Sequence, residues 1–235
     1  MSRIKWSPTE FRLLSPEIVN WTREKFELYN LIFNYVKDID SFHEGNVKLE
    51  QYSLPAQLIA FILAYTEKDL MNQKIVEFGS GTGRFSLPLL KFFSSTLLCI
   101  DVDSEAILNL KRSLKTQKLN AELLISAVEF LETFSWNRRF EVTIMNPPFG
   151  TKRRGIDIVF LEKALIFSKK IITIHKSNQE SRRLINRTSQ QYNKFCEILA
   201  TLEFPIPPLF TFHKKLTHYV CVDIYRISEK TQYGC

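Results

Sequence analysis

Several features are scarce in this sequence, and each absence removes a class of protein. Only four cysteines occur (Cys99, Cys196, Cys221 and Cys235), with no CxxC spacing and no histidine pair nearby. A disulfide framework and a cysteine-based zinc site are therefore not expected, and we expect no bound metal. The sequence has no apolar signal core and no run of the roughly 18 apolar residues that a membrane span needs. We expect a soluble, cytoplasmic protein with reduced thiols.

The remaining composition is that of a folded domain with a basic surface. Hydrophobic residues fill 45% of the 235 positions, which is enough for a large core and too much for a disordered chain. This length predicts one domain, or one domain with a modest extension. The formal net charge of +7 favours a polyanionic partner such as nucleic acid, although charge alone does not prove one.

A strand that ends in two prolines is the most informative segment. Residues 140–145 are mostly apolar and partly β-branched and predict a buried strand, which Pro147 and Pro148 end because proline cannot donate to a sheet ladder. Asn146 and Phe149 would then lie past the carboxyl edge of a sheet, where open α/β sheets bind ligands. The Asn146 oxygen and the following carbonyl can accept two N–H bonds from an amino group, and Phe149 can stack on its carrier. A proline-ended strand followed by an ordinary loop is the alternative.

Glycines that follow another short strand predict a second ligand site. Residues 74–78 predict a buried strand, and Gly79, Gly81 and Gly83 follow it before a helix at about 84–93. This spacing lets the backbone turn sharply and approach a ligand, although it also suits a plain strand-to-helix turn. No Gly-Lys-Ser/Thr follows, which excludes a Walker phosphate loop.

An acid follows the next predicted strand, at 96–100. Asp101 stands roughly 20 residues beyond the glycine loop, where a carboxylate can bind the two hydroxyls of a ribose. Asp103 or Ser104 is predicted to cap the helix that begins near Glu105, and capping is the alternative role for the acids in this turn.

The rest of the chain predicts strands that alternate with helices, which implies a mostly parallel sheet with helices on both faces. Further strands are predicted at 121–126, 171–174, 195–204 and 217–227, and further helices at 55–66, 157–168 and 178–192.

The first 46 residues differ in character from the rest of the chain. Ser15 and Pro16 predict the start of an amphipathic helix that continues to Lys37 and packs on the main domain. An arm that binds substrate or a partner is the alternative. We therefore divide the chain into an N-terminal helical extension (1–46), a main domain (47–228) and a flexible tail (229–235).

Three loops predicted near the carboxyl edge of the sheet carry cations. The residues are Lys152, Arg153 and Arg154, then His175 and Lys176, then His213, Lys214 and Lys215. If the loops share one edge, these side chains surround the Asn146 pocket and can bind the phosphates of an RNA whose base enters it. Ordinary surface charge is the alternative for each cluster taken alone.

These motifs together resemble a known family. Residues 77–83, Asp101 and residues 146–149 resemble the marks of class I methyltransferases that use S-adenosylmethionine and act on an amino or amide nitrogen. Four longer stretches, which are LEQY, IMNPPFGTK, HKS and FHKK, resemble the methyltransferase-like protein 5 family. That family makes N6-methyladenosine in small-subunit ribosomal RNA. The resemblance covers about residues 47–228.

The resemblance implies an α/β fold with a Rossmann-like, seven-stranded sheet whose last strand is antiparallel. It also implies S-adenosylmethionine as the cofactor, small-subunit ribosomal RNA as the substrate and, in eukaryotes and some archaea, a small zinc-binding activator of the Trm112 type. Glu77, Gly79 and Gly81 would line the methionine and ribose, and Asp101 would bind the ribose hydroxyls. Gln51 and Tyr52 would close over the cofactor, and Asn146, Pro147, Pro148 and Phe149 would form the catalytic motif that holds the adenine.

Two departures from the family pattern stand out. The turn after Tyr52 continues with Ser53 and Leu54 in place of Pro-Thr, and the third strand ends at Ser126 in place of an acid that reads the cofactor's adenine. Ser126 or a backbone group must substitute.

Two other substrates suit the same pocket, because related enzymes methylate a glutamine amide of release factors or an adenine of DNA. A binding module that has lost the cofactor is a third alternative.

Overall fold

The computed structural model of the chain describes residues 12–13, 21–39, 54–133, 140–150, 153–206 and 218–229. Six predicted site residues lie outside these ranges: Gln51, Tyr52, Lys152, His213, Lys214 and Lys215.

One mixed sheet forms the centre of the molecule. Its strands are β1 (Arg12–Leu13), β2 (Lys74–Phe78), β3 (Thr96–Asp101), β4 (Glu122–Ile125), β5 (Phe140–Met145), β6 (Ser168–Lys176), β7 (Lys194–Ile206) and β8 (His218–Glu229). Their order is β1-β7-β8-β6-β5-β2-β3-β4. Strands β2 to β6 pair in parallel, whereas β8 is antiparallel to both β6 and β7. The predicted α/β sheet with an antiparallel last strand is confirmed, and the two-residue β1 adds an eighth strand antiparallel to β7.

Helices cover both faces of the sheet, as predicted. The helices are α1 (Arg23–Val36), α2 (Ala56–Tyr65), α3 (Glu67–Leu70), α4 (Ser86–Phe92), α5 (Ser104–Gln117), α6 (Ile156–Phe167) and α7 (Gln179–Gln191), with a 3₁₀ helix at Val128–Thr133. Apolar side chains of α1, α2, α4 and α5 form one core cluster with the sheet. Those of α6, α7 and the 3₁₀ helix form a second cluster on the opposite face. The sheet is therefore buried on both sides, which explains its nearly continuous apolar strands.

Helix α1 begins later than the sequence predicted. Its N-cap is Thr22, whose hydroxyl accepts the Lys25 N–H at 3.3 Å, so the predicted continuous helix to Lys37 is wrong at residues 21–22. Ser15 and Pro16, where that helix was predicted to begin, lie outside the described residues. Trp21 precedes the helix and stacks on Phe61 of α2, with ring centroids 5.6 Å apart. This contact holds the start of α1 against α2, and the Thr22 cap satisfies a backbone N–H of the first turn.

Helix α1 is part of the main core. Its residues Tyr29, Ile32 and Val36 are buried in the same cluster as α2. Burial of each such side chain contributes roughly 1.5–3 kcal/mol. The packing role predicted for this helix therefore agrees with its contacts, and the domain boundaries stay a prediction.

Strand β6 is longer than the sequence predicted. It extends to Lys176, which pairs with Val222 of β8, whereas the predicted strand ended at Ile174. Two neighbours, β5 and β8, supply backbone partners along β6, and β8 continues beyond the end of β5. His175 is consequently a strand residue and not a loop residue.

None of the described helices is both long enough and apolar enough to cross a membrane.

Candidate functional site: the carboxyl edge of the parallel strands

The glycine loop follows β2 and turns directly over the end of β3. The N–H groups of Gly79 and Ser80 donate to the Ile100 carbonyl, at 2.8 and 3.1 Å. Gly79 and Gly83 have φ values of +72° and +91°, which favour glycine. A Cβ on Gly83 would lie 2.4 Å from Leu110 Cδ1 of α5, so Gly83 also allows close packing of loop and helix. The loop thus needs glycine for two separate reasons.

Asp101 closes the other side of this loop. Its Oδ2 accepts the Gly81 N–H at 2.7 Å and its Oδ1 accepts the Asp103 N–H at 2.9 Å. Burial raises the pKa of Asp101, although these N–H bonds oppose the shift. Each carboxylate oxygen keeps a second lone pair, which two ligand hydroxyls could use. Asp103 is the helix cap, because its side chain accepts the Glu105 and Ala106 N–H groups.

Glu77 lies beneath the loop at the end of β2 and is 2% exposed. Burial raises its pKa to about 8; the Ser86 hydroxyl, which donates to it, opposes the shift, and the Asp101 charge adds to it. The carboxyl of Glu77 therefore carries its proton at neutral pH. A neutral acid can donate one hydrogen bond as well as accept others.

One pocket joins the glycine loop to the Asn-Pro-Pro-Phe motif. Its lining residues are Leu54, Ile59, Glu77, Gly79, Ser80, Gly81, Thr82, Arg84, Phe85 and Asn146. Asn146 reaches this pocket because Met145 pairs with Phe78, so β5 and β2 end side by side. Pro147 is buried, whereas Asn146 and Phe149 are half-buried. Phe149 packs against the cluster that contains α2.

The pocket, together with Asp101 behind its glycine loop, has the groups that the methionine and ribose of S-adenosylmethionine require. Asp101 offers carboxylate oxygens to hydroxyl donors, and the loop backbone approaches closely at Gly79 and Gly81. The Ser80 hydroxyl is buried and has no hydrogen-bond partner among the described residues. A buried hydroxyl of this kind is costly unless a ligand satisfies it. We conclude that the residues present fit the cofactor.

The cations predicted to bind RNA fall into two groups. Arg153, Arg154 and Lys176 are exposed near the carboxyl edge. Arg153 forms an ion pair with Glu129 of the 3₁₀ helix at 2.5 Å. His175 is different, because its side chain is 1% exposed and points into the core beneath α6. The prediction that His175 contacts RNA is therefore wrong for this conformation, because β6 continues through Lys176 and Asp157 of α6 and Tyr225 of β8 lie against the imidazole.

Three groups near this edge of the sheet were missed by the sequence analysis. Arg84 donates to the carbonyls of Ile39 and Leu54, both at 3.2 Å, and so connects the end of α1 to the start of α2 beside the pocket. Asp223 is buried within apolar β8 and binds Arg182 of α7. The acid in the apolar run Val222-Asp223-Ile224 could have predicted a buried ion pair, because a buried charge without a partner is rare. No local sequence pattern indicated a role for Arg84 or Ser80.

The end of β4 has no acid, as the sequence indicated. The Ser126 N–H donates to the Asp101 carbonyl at 2.9 Å, and its hydroxyl donates to the Ala127 carbonyl at 3.1 Å. Glu129 is the next acid along the chain, and it is held by Arg153. Among the described residues, no group of three or more His, Cys, Asp or Glu side chains could hold a metal ion.

Comparison with known proteins settles the family. A sequence model of the methyltransferase small domain matches residues 58–197. The chain belongs to the methyltransferase small domain family. This membership confirms the predictions of a class I methyltransferase fold, of methyltransferase activity and of S-adenosylmethionine as the methyl donor.

Individual relatives agree with the family. The rRNA N(6)-adenosine-methyltransferase Mettl5 of Drosophila melanogaster is 25% identical over 204 residues, covering 84% of this chain and 95% of the relative. The protein MJ0284 of Methanocaldococcus jannaschii is 31% identical over 188 residues, covering 77% and 85%. The crystal structure of PH1948 from Pyrococcus horikoshii superposes with a TM-score of 0.75 at 32% identity, covering 90% of this chain and all of that one. The resemblance to the methyltransferase-like protein 5 family is thus confirmed.

Proposed function

We propose that this methyltransferase transfers the methyl group of S-adenosylmethionine to the exocyclic N6 of an adenosine in small-subunit ribosomal RNA. The observation that carries the proposal is the shared pocket, in which Asn146 lies beside Glu77 and the Gly79–Gly81 loop. An amide at this position can bind an amino group next to the methyl donor. The similarity to relatives named rRNA N(6)-adenosine-methyltransferases supports RNA adenine as the acceptor.

The bound cofactor supplies a methyl group on a sulfonium, which is already a good leaving group. The task of the protein is to prepare the acceptor nitrogen, whose lone pair is delocalised into the adenine ring. The Asn146 side-chain oxygen and the Pro147 carbonyl accept its two N–H bonds, which favours tetrahedral geometry and directs the lone pair at the methyl. No strong base is required, because the nitrogen proton becomes acidic once the new bond has formed. The buried Pro147 and the rigid Pro148 hold these acceptors in place.

Phe149 is assigned to the base itself. Its ring is partly buried against the core and partly exposed, and we assign the exposed part to stacking on an adenine. Stacking of this kind contributes roughly 1–3 kcal/mol. The exposed side chains of Arg154 and Lys176 are then available to the phosphates that flank the base.

The adenine of the cofactor is read without an acid. The Ser126 N–H is already bonded to Asp101 and the Ser126 hydroxyl donates to Ala127, so we assign the adenine to the Ser126 hydroxyl oxygen as an acceptor or to the Ala127 N–H. Gln51 and Tyr52 are assigned to the cofactor by the resemblance alone, as Lys152, His213, Lys214 and Lys215 are to RNA.

We further propose a small activator protein of the Trm112 type. Strand β4 ends the sheet, and Ile125 on it is 54% exposed. Phe130 on the adjoining 3₁₀ helix is 63% exposed. An edge strand beside exposed apolar side chains is a site where another chain can pair.

The decisive experiment offers labelled S-adenosylmethionine with small-subunit ribosomal RNA, with DNA and with a release factor in parallel. The products are digested to nucleosides or amino acids. Label in N6-methyladenosine from RNA supports the proposal, whereas label in methylglutamine or in DNA adenine replaces the substrate. If the cofactor binds but no acceptor is labelled, the assay is repeated with a Trm112-type partner, and continued inactivity would contradict the proposed function.

A further inference from the structure

His175 is a buried polar residue that the proposed function does not use. Strand β6 continues past Thr173, its last pairing with β5, which places His175 beside the start of the Asn146–Phe149 loop. The imidazole is 1% exposed, and its Nδ1 has no hydrogen-bond partner. A buried imidazole nitrogen of this kind calls for an explanation.

Two polar groups flank the imidazole. The Thr173 hydroxyl lies 3.0 Å from Nε2, and Asp157 Oδ2 of α6 lies 3.6 Å from Nδ1. If the Thr173 hydroxyl donates to Nε2, the ring proton stands on Nδ1 and is directed at the Asp157 carboxylate. The Tyr225 ring of β8 packs edge-on against the imidazole, with the two ring centroids 5.8 Å apart.

The other titratable groups described beside the imidazole, on β8 and α7, are bonded to one another. Tyr225 donates to Asp223 at 3.3 Å, and Asp223 accepts from Arg182 of α7 at 2.7 and 2.8 Å. Asp157 is therefore the carboxylate that directly faces the imidazole.

Asp157 also meets the loop that carries the Asn-Pro-Pro-Phe motif. It lies in the first turn of α6, where that loop returns to the fold, and its side chain is only 20% exposed. Its Oδ1 lies 3.6 Å from the position that a Cβ on Gly150 would occupy. Gly150 directly follows Phe149 and has a φ of +73°. The carboxylate thus stands between the end of the motif and the imidazole on β6.

We propose that His175 and Asp157 are positioning residues that fix the Asn146–Phe149 loop against β6 for methyl transfer. The inference rests on the proposed function, because it assigns the loop to the acceptor. His175 does not touch substrate; it acts through Asp157 and the loop. A shift of about 1 Å in such a loop can reduce the rate roughly 100-fold, even though the chemical groups are all present.

The matched variants are His175→Asn and His175→Gln. Asparagine places its amide nitrogen near the position of Nδ1, toward Asp157, whereas glutamine places it near Nε2, toward Thr173. Both are neutral amides in the same buried site, so both lose comparable unfolding stability. We expect kcat for RNA methylation to fall roughly 10- to 100-fold in His175→Gln and to stay within about threefold in His175→Asn, with the Kd of S-adenosylmethionine unchanged in both.

A second pair tests the carboxylate. Asp157→Asn retains the shape and should lower kcat like His175→Gln, and the double variant should lose little more than either single one. Glu180→Gln is the control, because it removes an acid from the first turn of α7 without contacting the loop. Equal kcat losses in His175→Asn and His175→Gln, in proportion to their stability losses, would reduce His175 to a structural residue.

Hydrogen exchange separates this proposal from the proposed function. Peptides that span residues 146–157 should exchange faster in His175→Gln than in His175→Asn, while peptides of α7 should not change. This measurement needs no acceptor, so it tests the positioning role even if RNA is not the substrate. Identical exchange in the two variants would overturn the role.

Discussion

Asp101 and Asp223 are two buried carboxylates near the same edge of the sheet, yet their surroundings shift their pKa values in opposite directions. Asp101 is bound by two backbone N–H groups, and burial raises its pKa. Burial acts to raise the pKa of Asp223 too, but the bonds from Arg182 and Thr201 outweigh it and lower the pKa. Asp223 is therefore fully satisfied by the protein, whereas Asp101 is not.

This difference in bonding distinguishes the β2–β3 side of the sheet edge from the side around Asp223. Around β2 and β3, the described residues include no ion-pair partner for Asp101 or Glu77, and the Ser80 hydroxyl is unpaired. Around Asp223 of β8, the side chains of Arg182, Ser177 and Thr201 bind one another and the carboxylate, and they fasten α7 to the sheet. An incomplete set of bonds indicates where a ligand is needed, and a complete set indicates structure.

The largest expected effect is on catalysis without a change in folding. Asn146→Ala should lower kcat by a factor on the order of 100 to 1,000, as loss of one electrostatic contact does in other active sites. The free energy of unfolding and the affinity for S-adenosylmethionine should change little. Single-turnover methyl transfer measures the rate, and Asn120→Ala, an exposed site before β4, is the control. Turnover within a few-fold of wild type would refute the role of Asn146.

Glu77 should make the protein less stable as pH rises. Its folded-state pKa of about 8 exceeds the unfolded value, so the folded state holds an extra proton between about pH 5 and 8. The free energy of unfolding should therefore fall across this window by on the order of 4 kcal/mol, at about 1.4 kcal/mol per pH unit.

Denaturant titrations of wild type and Glu77→Gln at pH 5 and pH 8 test this expectation. The variant should lose the slope and be relatively more stable at pH 8. Parallel pH profiles of the two proteins would show that Glu77 is ionised in the fold.

Arg182→Met should show the reverse pattern to Asn146→Ala. It leaves Asp223 buried without its cation, which should lower the free energy of unfolding by about 2–3 kcal/mol, less than for a fully buried pair because Arg182 is 44% exposed. Because the folded-state pKa of Asp223 is depressed, the contribution of the pair is present at neutral pH and is lost as pH falls through that pKa. Cofactor affinity should not change. Arg183→Met, at the exposed neighbouring position, is the control, and equal stability of the two variants would contradict the prediction.

Asp101→Asn should give the smallest effect on function, through the affinity for the ligand. Removal of the charge weakens the bonds to ribose hydroxyls, so the Kd of S-adenosylmethionine should rise about tenfold. The free energy of unfolding should also fall by about 1–3 kcal/mol, because the Asn amide nitrogen would face one of the two backbone N–H groups that the carboxylate accepts. Calorimetric titration measures the Kd, and an unchanged value would remove Asp101 from the cofactor site.

Local sequence signals predicted the fold well where they agreed with tertiary structure. The bounds of β2 and β5 were predicted, since apolar runs there end at glycine or proline. The start of α1 was not, because Ser15 and Thr22 are both acceptable caps and the Trp21–Phe61 stacking favours the second. Packing between segments that are distant in the sequence, which no local signal shows, therefore influences where α1 begins.

The site was predictable in part. Glu77, Gly79, Gly81 and Asn146 meet as the motifs implied, because parallel strands end at one edge. The direction of His175 depended on how far β6 continues, which is set by pairing with β8 and is invisible in the local sequence. The ligand-facing roles of these residues stay predictions until methyl transfer and cofactor binding are measured.

Gly83 limits how this protein can diverge. Any side chain there would collide with Leu110 of α5 and would also meet an unfavourable φ of +91°. A smaller residue at position 110 would relieve the collision but not the backbone strain. Gly83 should therefore stay fixed whichever residue occupies position 110, and a smaller residue at 110 should not rescue a substitution at Gly83 in a deep mutational scan.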